Sequence, residues 1–279
     1  MPARTRRPSV AKAPRHRLDE ELARRGLFSS RDEAMRAIMA GDVSTTDRRL
    51  TSPGEQVRED TYLHVRGQKS YVGRGGLKLE RALEAFCVDP SGLRCLDVGC
   101  STGGFTDCLL KHGAESVVAV DVGYAQFDWG LREDPRVELH ERTNVVDLPG
   151  PDNERSIDLA VCDVSFTSVA TVLPAVMCML ADDGTFITLV KPQFEAARDE
   201  VGEGGVVRDA TVRLAALERV ADAFLEAGLN LAASCPSPIS GHKGNQEFLL
   251  MGTRKPCPAG TLDLAAVALR GEVSMLFSA

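Results

Sequence analysis

Charged side chains flank three of the apolar runs that the sequence predicts as strands. Asp163 and Lys191 each follow such a run directly, and Glu247 stands at the start of the last one. Lys78 precedes them on a helical pattern. Because the strands of a doubly wound sheet present functional groups at one edge, we expect these four side chains to meet there. Two amines and two carboxylates in one cleft can orient a hydroxyl and handle its proton, although each residue taken singly is typical of a surface ion pair.

A glycine-rich segment predicts a cofactor loop. The apolar run Cys95–Val98 breaks at Gly99, and Gly103 and Gly104 precede a helical pattern. Glycines let backbone N–H groups approach a ligand closely, and the start of a helix favours an anion. The spacing G-x-x-x-G-G differs from the dinucleotide fingerprint G-x-G-x-x-G, which favours a smaller anionic head such as a carboxylate over a pyrophosphate.

The acid at the end of the next strand completes this cofactor prediction. Asp121 is placed to accept hydrogen bonds from a ribose diol, and the loop and the acid together indicate S-adenosylmethionine. The alternative is a tight βα turn beside an unrelated surface aspartate. Asn144 is the candidate for the adenine amino group, with Asp147 as its competitor. The predicted cofactor contacts are Gly99, Ser101, Gly103, Gly104, Phe105, Asp121, Asn144 and Asp163.

These residues fall within a regular alternation of helical and strand patterns, which predicts an α/β fold with a largely parallel sheet. The predicted helices span 77–86, 104–112, 168–181 and 209–227. The predicted strands span 94–98, 116–121, 137–141, 158–163, 185–191, 230–236 and 247–253, with the last two forming a hairpin-like pair. The glycine-containing segment 194–209 is predicted to be a mobile loop beside the site. Residues 256–279 form a C-terminal tail to which the pattern assigns no structure.

The charge distribution indicates two domains. Residues 1–81 contain 18 Lys/Arg and 11 Asp/Glu, a net charge of +7, whereas residues 82–279 contain 15 and 29, a net charge of −14. A basic N-terminal side favours a polyanionic partner, and an acidic body with a solvated surface is the ordinary alternative. Residues 1–16, with five Lys/Arg, three Pro and no acid, are predicted to be a disordered basic arm, which either contacts RNA phosphates or is a solvated tail.

Cysteine usage and hydropathy narrow the class of protein. The eight cysteines form no C-x-x-C pair and, with five scattered histidines, predict no metal site. They are typical of small buried hydrophobes in a reducing cytoplasm. No apolar run reaches the roughly 18 residues of a membrane span, so we expect a soluble intracellular protein.

Residues 17–65 predict a small α+β module. Leu18, Leu22 and Ala23 share one helical face, and Ser30 with Glu33 forms a capping box for a second helix, whose apolar stripe runs through Ala34, Ile38 and Met39. The R-L-D-x-x-L start, the S-R-x-x-A helix and the I-x-x-G-x-V exit resemble the S4 RNA-binding domain. The resemblance implies phosphate contacts from Arg17, Arg24, Arg25, Arg31, Arg36, Arg48 and Arg49. Residues 66–76 are predicted to be a flexible linker.

The remainder of the chain resembles the FtsJ-type ribose 2′-O-methyltransferases, and more closely the TlyA family, which joins an S4 domain to this fold. The resemblance rests on five ordered segments, 75–79, 97–106, 162–166, 191–195 and 204–209. It implies a Rossmann-like class I methyltransferase domain over residues 77–255 and a catalytic tetrad of Lys78, Asp163, Lys191 and Glu247. It further implies S-adenosylmethionine as cofactor, ribosomal RNA or ribosomal subunits as partner, and methylation of a cytidine 2′-hydroxyl.

The role of Lys191 has two alternatives at this point. Asp163 stabilises its ammonium form, whereas Lys78 and burial oppose it. Lys191 therefore either loses its proton and acts as a base, or stays charged and stabilises a developing alkoxide. Glu247 would orient Lys78 or the ribose.

Two other functions compete with ribose methylation. One is methylation of a base or a protein, for which Cys162 offers a nucleophile, but the segment Asp163–Phe166 lacks the prolines of an Asn/Asp-Pro-Pro-Tyr/Phe element. The other is a non-catalytic RNA-binding or membrane-active protein, for which the sequence shows no strongly amphipathic basic helix.

Overall fold

The computed structural model describes residues 15–24, 27–28, 30–45, 48–58, 61, 63–66 and 71–276. The chain divides into two compact units, Met1–Lys69 and Ser70–Ala279. Each unit has its own hydrophobic core.

The first unit combines two helices with short strands. The helices are α1 (Leu18–Arg24) and α2 (Arg31–Met39), and the strands are β1 (Arg15–Arg17), β2 (Val43–Ser44), β3 (Arg49–Leu50), β4 (Gln56–Arg58) and β5 (His64–Val65). Strand β1 pairs antiparallel with β4, and β2 lies between β3 and β5. Leu18, Leu22, Ile38 and Val43 are fully buried in the core of this unit. The helix-and-strand composition predicted for the module is therefore present.

Local signals in the first unit have different outcomes. The predicted cap is confirmed, because Ser30 Oγ accepts a hydrogen bond from the N–H of Glu33 at 3.3 Å. Met39 is 73% exposed, so its predicted place in the buried stripe is wrong. It directly follows the buried Ile38, and adjacent residues of a helix point to different sides.

The last two residues of the predicted N-terminal arm belong to a strand. Arg15 and His16 belong to β1, where they face Arg58 and Val57 of β4. Pairing with β4 gives these residues partners for their backbone groups, which the composition of the arm does not reveal. Residues 1–14 lie outside the described residues, and so does Arg25.

The second unit is built on an eight-stranded sheet. Its strands are β6 (Arg94–Val98), β7 (Ser116–Asp121), β8 (Val137–Glu141), β9 (Ile157–Cys162), β10 (Leu180–Val190), β11 (Asn230–Pro236), β12 (Phe248–Thr253) and β13 (Ser274–Met275). Their order across the sheet is β13-β11-β12-β10-β9-β6-β7-β8. The run from β10 to β8 is parallel, and β12 is antiparallel to both β10 and β11. This is the mixed, Rossmann-like α/β sheet that the sequence predicts.

Helices cover both faces of this sheet. They are α3 (Gly75–Phe86), α4 (Gly104–Lys111), α5 (Trp129–Arg132), α6 (Val169–Met179), α7 (Pro192–Glu195), α8 (Ala210–Glu226) and α9 (Leu264–Arg270). Apolar side chains of α3 and α4 share one core cluster with one set of strand residues. Those of α6, α8 and α9 share the other cluster with the strand residues that point to the opposite face of the sheet. The sheet is therefore buried on both sides, as its apolar strand sequences require.

Two segments of the second unit differ from the sequence prediction. Helix α3 begins at Gly75, inside the predicted linker 66–76, and Tyr71 ahead of it is only 7% exposed. The N–H of Val72 donates to Asp107 Oδ2 at 2.9 Å, so residues 71–76 pack against α4. The C-terminal tail contributes α9 and the edge strand β13, which pairs with β11.

Candidate active site

The sheet topology brings the predicted catalytic residues to one edge. Lys191 follows the end of β10, and Asp163 follows the end of the parallel neighbour β9. Glu247 precedes β12, which is antiparallel, and the pairing of Val190 with Phe248 makes Lys191 and Glu247 the next residues along this register. Glu247, before the antiparallel β12, therefore lies at the same edge of the sheet as Asp163 and Lys191, after the parallel β9 and β10.

Lys191 is held by three oxygen atoms of the β9 end. Its Nζ lies 2.6 Å from Asp163 Oδ1, 2.8 Å from Ser165 Oγ and 3.5 Å from the carbonyl oxygen of Asp163. The side chain of Lys191 is 9% exposed and that of Asp163 is 19% exposed. The amine is thus fixed in position at the point where the chain leaves the sheet.

The other two predicted catalytic residues form a second ion pair. Lys78 on α3 donates from Nζ to Glu247 Oε2 at 2.6 Å, and the two side chains are 11% and 2% exposed. Lys78 is therefore neutralised by Glu247. The four residues of the predicted tetrad occur as two ion pairs at the same end of the sheet.

A cavity of about 180 Å³ is lined both by residues at this end of the sheet and by residues of the glycine loop. Its lining includes Gly75, Gly99, Ser101, Gly104, Phe105, Asp163 and Lys191. Most of the predicted contacts for the methionine portion of a cofactor therefore lie around one cavity, together with the Lys191 amine. Gly103 is not among its lining residues: it caps α4 with a φ of 92°, and an added Cβ would clash with Leu131.

A second cavity of about 520 Å³ adjoins the first, with Gly99, Ser101, Asp163 and Ser165 common to both. Asp121 and Asn144, the predicted contacts of the ribose and the adenine, are among its lining residues. The Asp121 carboxylate accepts hydrogen bonds from the N–H groups of Ser101 (2.8 Å) and Gly123 (2.6 Å). A carboxylate has about four acceptor positions, so this fixed group retains capacity for a ligand diol. The volume, together with a lining of apolar and polar side chains, fits a nucleoside.

Buried ionisable groups surround the glycine loop. Asp97 is fully buried; burial raises its pKa to about 7, with the charges of Asp163 and Asp121 adding to this effect. Its Oδ2 accepts a hydrogen bond from Thr106 Oγ1 at 2.7 Å, and its Oδ1 has no hydrogen-bond partner within the described part of the chain. Burial also raises the pKa of the Cys162 thiol to about 12, which makes a thiolate nucleophile unfavourable.

Several residues of this site escaped the sequence prediction. Ser165, which binds Lys191, stands three residues after the end of β9, within the segment 162–166 that carries the family resemblance. Glu195 accepts from the N–H of Val169 at 2.8 Å and from Ser168 Oγ at 2.6 Å. It thereby ties the segment after Lys191 to the start of α6, a contact between distant segments that leaves no local pattern.

The predicted phosphate contacts of the first unit fall into two groups. Arg17 and Arg31 both bind Asp19, at 2.9 and 3.0 Å. Burial opposes the charge on Asp19, but hydrogen bonds from these two arginines outweigh it and lower the pKa. Arg24 pairs with Glu21, and Arg48 with Glu55. Arg36 and Arg49 are exposed.

Within the described residues, no cluster of His, Cys, Asp and Glu could hold a metal ion. Within the same residues, no helix has the length and apolar character that crossing a membrane requires.

The chain is similar to proteins of known family, sequence and structure. A family model described as FtsJ-like methyltransferase matches residues 71–254. The chain is 45% identical over 240 residues to the 16S/23S rRNA (cytidine-2′-O)-methyltransferase TlyA of Mycobacterium tuberculosis, covering 85% of this chain and 90% of that protein. It is 39% identical to Hemolysin A of Brachyspira hyodysenteriae, covering 84% and 98%. A solved structure of a protein described as a hemolysin from Streptococcus thermophilus aligns with a TM-score of 0.69 and 38% identity, covering 92% and 96%.

Proposed function

This chain belongs to the FtsJ-like methyltransferase family, and from that premise we propose that it methylates the ribose 2′-hydroxyl of a cytidine in ribosomal RNA with S-adenosylmethionine. The observation that carries the proposal is the Lys191 amine, 2.6 Å from Asp163, in the wall of the cavity that the glycine loop also lines. An amine there can act on a hydroxyl beside a bound methyl donor. The same proposal gives the enzyme a cytoplasmic location.

The residues around the two cavities supply contacts for each part of the cofactor. The backbone from Gly99 to Gly104 would hold the methionine portion, Asp121 the ribose hydroxyls and Asn144 the adenine amino group. S-adenosylmethionine supplies an electrophilic methyl group on a sulfonium. The protein supplies alignment, which converts a slow bimolecular transfer into one between held groups.

Lys191 is the residue that acts on the 2′-hydroxyl. Lys78 is paired with Glu247 and Lys191 with Asp163, so each amine lies against its own carboxylate. The arrangement supports the second of the two roles considered for Lys191, in which a charged amine stabilises negative charge developing on the ribose oxygen. The Lys78–Glu247 pair would hold the neighbouring part of the site in position.

The first unit is proposed to bind RNA as an S4-like domain. Among the predicted phosphate contacts, Arg36 and Arg49 are exposed, whereas Arg17 and Arg31 compensate the buried Asp19. We therefore assign phosphate contact first to Arg36 and Arg49, and a structural role to the pair that binds Asp19.

The test uses two substitutions of Lys191 with ribosomal RNA or ribosomal subunits as substrate. Lys191→Ala should lower turnover by about 10²-fold or more while cofactor binding persists. Lys191→Arg keeps the charge but cannot lose its proton, so it should retain more activity than Lys191→Ala if the charged role is correct. Activity of Lys191→Arg as low as that of Lys191→Ala would instead favour the base.

A matched control is Lys111→Ala, which removes another lysine that pairs with a carboxylate, Asp107 at 2.9 Å, away from both cavities. Its turnover should match that of the unsubstituted protein. The product is identified by alkaline hydrolysis, because a ribose methyl blocks cleavage at the adjacent 3′ phosphate and a base methyl does not. Unchanged turnover for Lys191→Ala, or a product that alkali still cleaves, would contradict the proposed function.

A further inference from the structure

The turn between β11 and β12 carries Glu247 and also binds a distant loop. Asn245 lies in this turn, two residues before Glu247, and is 3% exposed. Its Oδ1 accepts a hydrogen bond from the N–H of Val207 at 3.0 Å, and its Nδ2 donates to the carbonyl oxygen of Gly205 at 2.9 Å. Both ends of one buried amide therefore bind the same loop, and we call these two hydrogen bonds the latch.

The loop that the latch holds follows Lys191 and α7 in the chain. Within it, Gly202 and Val206 form an antiparallel bridge, and Val207 is 2% exposed. Lys243, from the same turn as Asn245, adds a hydrogen bond from Nζ to the carbonyl oxygen of Gly204 at 2.9 Å. The segment that the sequence predicts to be a mobile loop is thus hydrogen-bonded to the turn at Gly204, Gly205 and Val207.

The carboxylate of Glu247 rests on the backbone of the same turn. A Cβ added at Gly241 would overlap the Glu247 carboxyl group, so only the bare backbone leaves it room. The N–H of Gly241 donates to the carbonyl oxygen of Asn245 at 2.8 Å, which closes the turn around this position. A displacement of the turn would therefore move the carboxylate away from Lys78 Nζ, 2.6 Å distant.

We propose that Asn245 is a positioning residue for the Glu247–Lys78 pair. Its latch joins the loop after Lys191 to the turn before Glu247, and these two residues are neighbours at the edge of the sheet. The latch thereby fixes the Glu247 side of the site relative to the Lys191 side. This inference deepens the proposed ribose methylation and rests on it.

The test is Asn245→Ala in the full-length protein, assayed with ribosomal RNA. We expect kcat to fall about 10-fold or more, as for a small misplacement of reacting groups. The dissociation constant and KM for S-adenosylmethionine should stay unchanged, because Asn245, Gly205 and Val207 are not among the residues lining the two cavities. Amide hydrogen exchange should rise in residues 203–208 and 241–247 and stay unchanged elsewhere.

The matched control is Asn153→Ala. Asn153 bonds in the same way: it accepts from the N–H of Gly150 and donates to the carbonyl oxygen of Leu148, both at 2.8 Å. It lies in the turn before β9, at the end of that strand opposite to Asp163. Its removal should leave kcat unchanged. If Asn245→Ala does not fold, Asn245→Asp retains the acceptor for Val207 but places a carboxylate oxygen against the Gly205 carbonyl in place of the donor. It should show the same kcat loss with unchanged cofactor affinity.

A double-mutant cycle separates positioning from general stability. If Asn245 acts through Glu247, then adding Asn245→Ala to Glu247→Gln should lower kcat by less than about 2-fold further. Full multiplication of the two losses, or wild-type kcat for Asn245→Ala alone, would overturn the proposal. Failure of the unsubstituted protein to methylate RNA would overturn the proposed function instead, and unchanged hydrogen exchange in Asn245→Ala would overturn the latch by itself.

Discussion

The buried ion pair between Lys78 and Glu247 gives a quantitative test of how the site is held. The pair joins α3 to the start of β12 with side chains 11% and 2% exposed and a 2.6 Å separation. Removing one partner leaves the other charge buried, which costs about 3 to 5 kcal/mol. Lys78→Met should therefore lower the free energy of unfolding by that amount, and the melting temperature of the second unit by roughly 6 to 20 °C.

The double substitution Lys78→Met/Glu247→Gln removes both charges and should be more stable than Lys78→Met alone, since no buried charge remains uncompensated. Denaturant unfolding followed by circular dichroism measures each free energy. The control is Arg270→Met, which breaks the exposed pairs of Arg270 with Asp263 and Glu272. The three side chains are 51%, 58% and 56% exposed, so the change in stability should be less than about 1 kcal/mol. The reasoning is refuted if Lys78→Met costs no more than Arg270→Met, or if the double variant loses the sum of the two single losses.

Burial raises the pKa of Asp97 to about 7, so the folded state keeps a proton that the unfolded chain has already released. The free energy of unfolding should therefore fall by about 2 to 3 kcal/mol between about pH 5 and pH 8. Asp97→Asn should abolish this decrease, as measured by urea unfolding. Gly103→Ala should weaken cofactor binding, measured by calorimetry, because its φ of 92° and the clash with Leu131 distort the loop; unchanged affinity would contradict this. Arg36→Ala/Arg49→Ala should reduce the salt dependence of RNA binding by a log–log slope of about 1 to 2, and an equal slope would exclude their phosphate contacts.

Much of the sheet was predictable because buried parallel strands are short apolar runs that end in polar residues. Strands β7 (Ser116–Asp121) and β8 (Val137–Glu141) have the predicted bounds. Strand β10 begins at Leu180 instead of residue 185, because it continues pairing with β9 across a register shift. The Asp-Asp-Gly segment inside that shift is typical of a turn, so local sequence alone begins the strand too late.

Segments whose structure depends on distant contacts were not predictable. The glycines of residues 66–76 are typical of a flexible linker, but the buried Tyr71 donates from its hydroxyl to Glu80 at 2.7 Å and orders the segment before α3. Helix α9 is seven residues long, and strand β13 has two. Such short elements give too few residues for a periodic pattern, and their stability comes from packing on α8 and β11.

For the site, residue types and strand ends predicted which side chains meet but not how they pair. The sequence places two lysines and two carboxylates at one edge, which allows Lys78 to oppose a charge on Lys191. The structure instead pairs Lys78 with Glu247 and Lys191 with Asp163. Partition into pairs depends on side-chain direction, which strand periodicity alone does not determine.

The antiparallel direction of β12 explains why Glu247, which precedes a strand, lies beside Lys191, which follows one. In a fully parallel sheet, Glu247 would lie at the opposite edge from Lys191, separated by the length of the strand. Because β12 is antiparallel to β10 and pairs Phe248 with Val190, its first residue lies beside the last residue of β10. The connection from β11 must then return the chain at the same edge, which is where the turn with Gly241 and Asn245 lies. The antiparallel strand therefore contributes Glu247 and, through its preceding turn, the contacts that hold it.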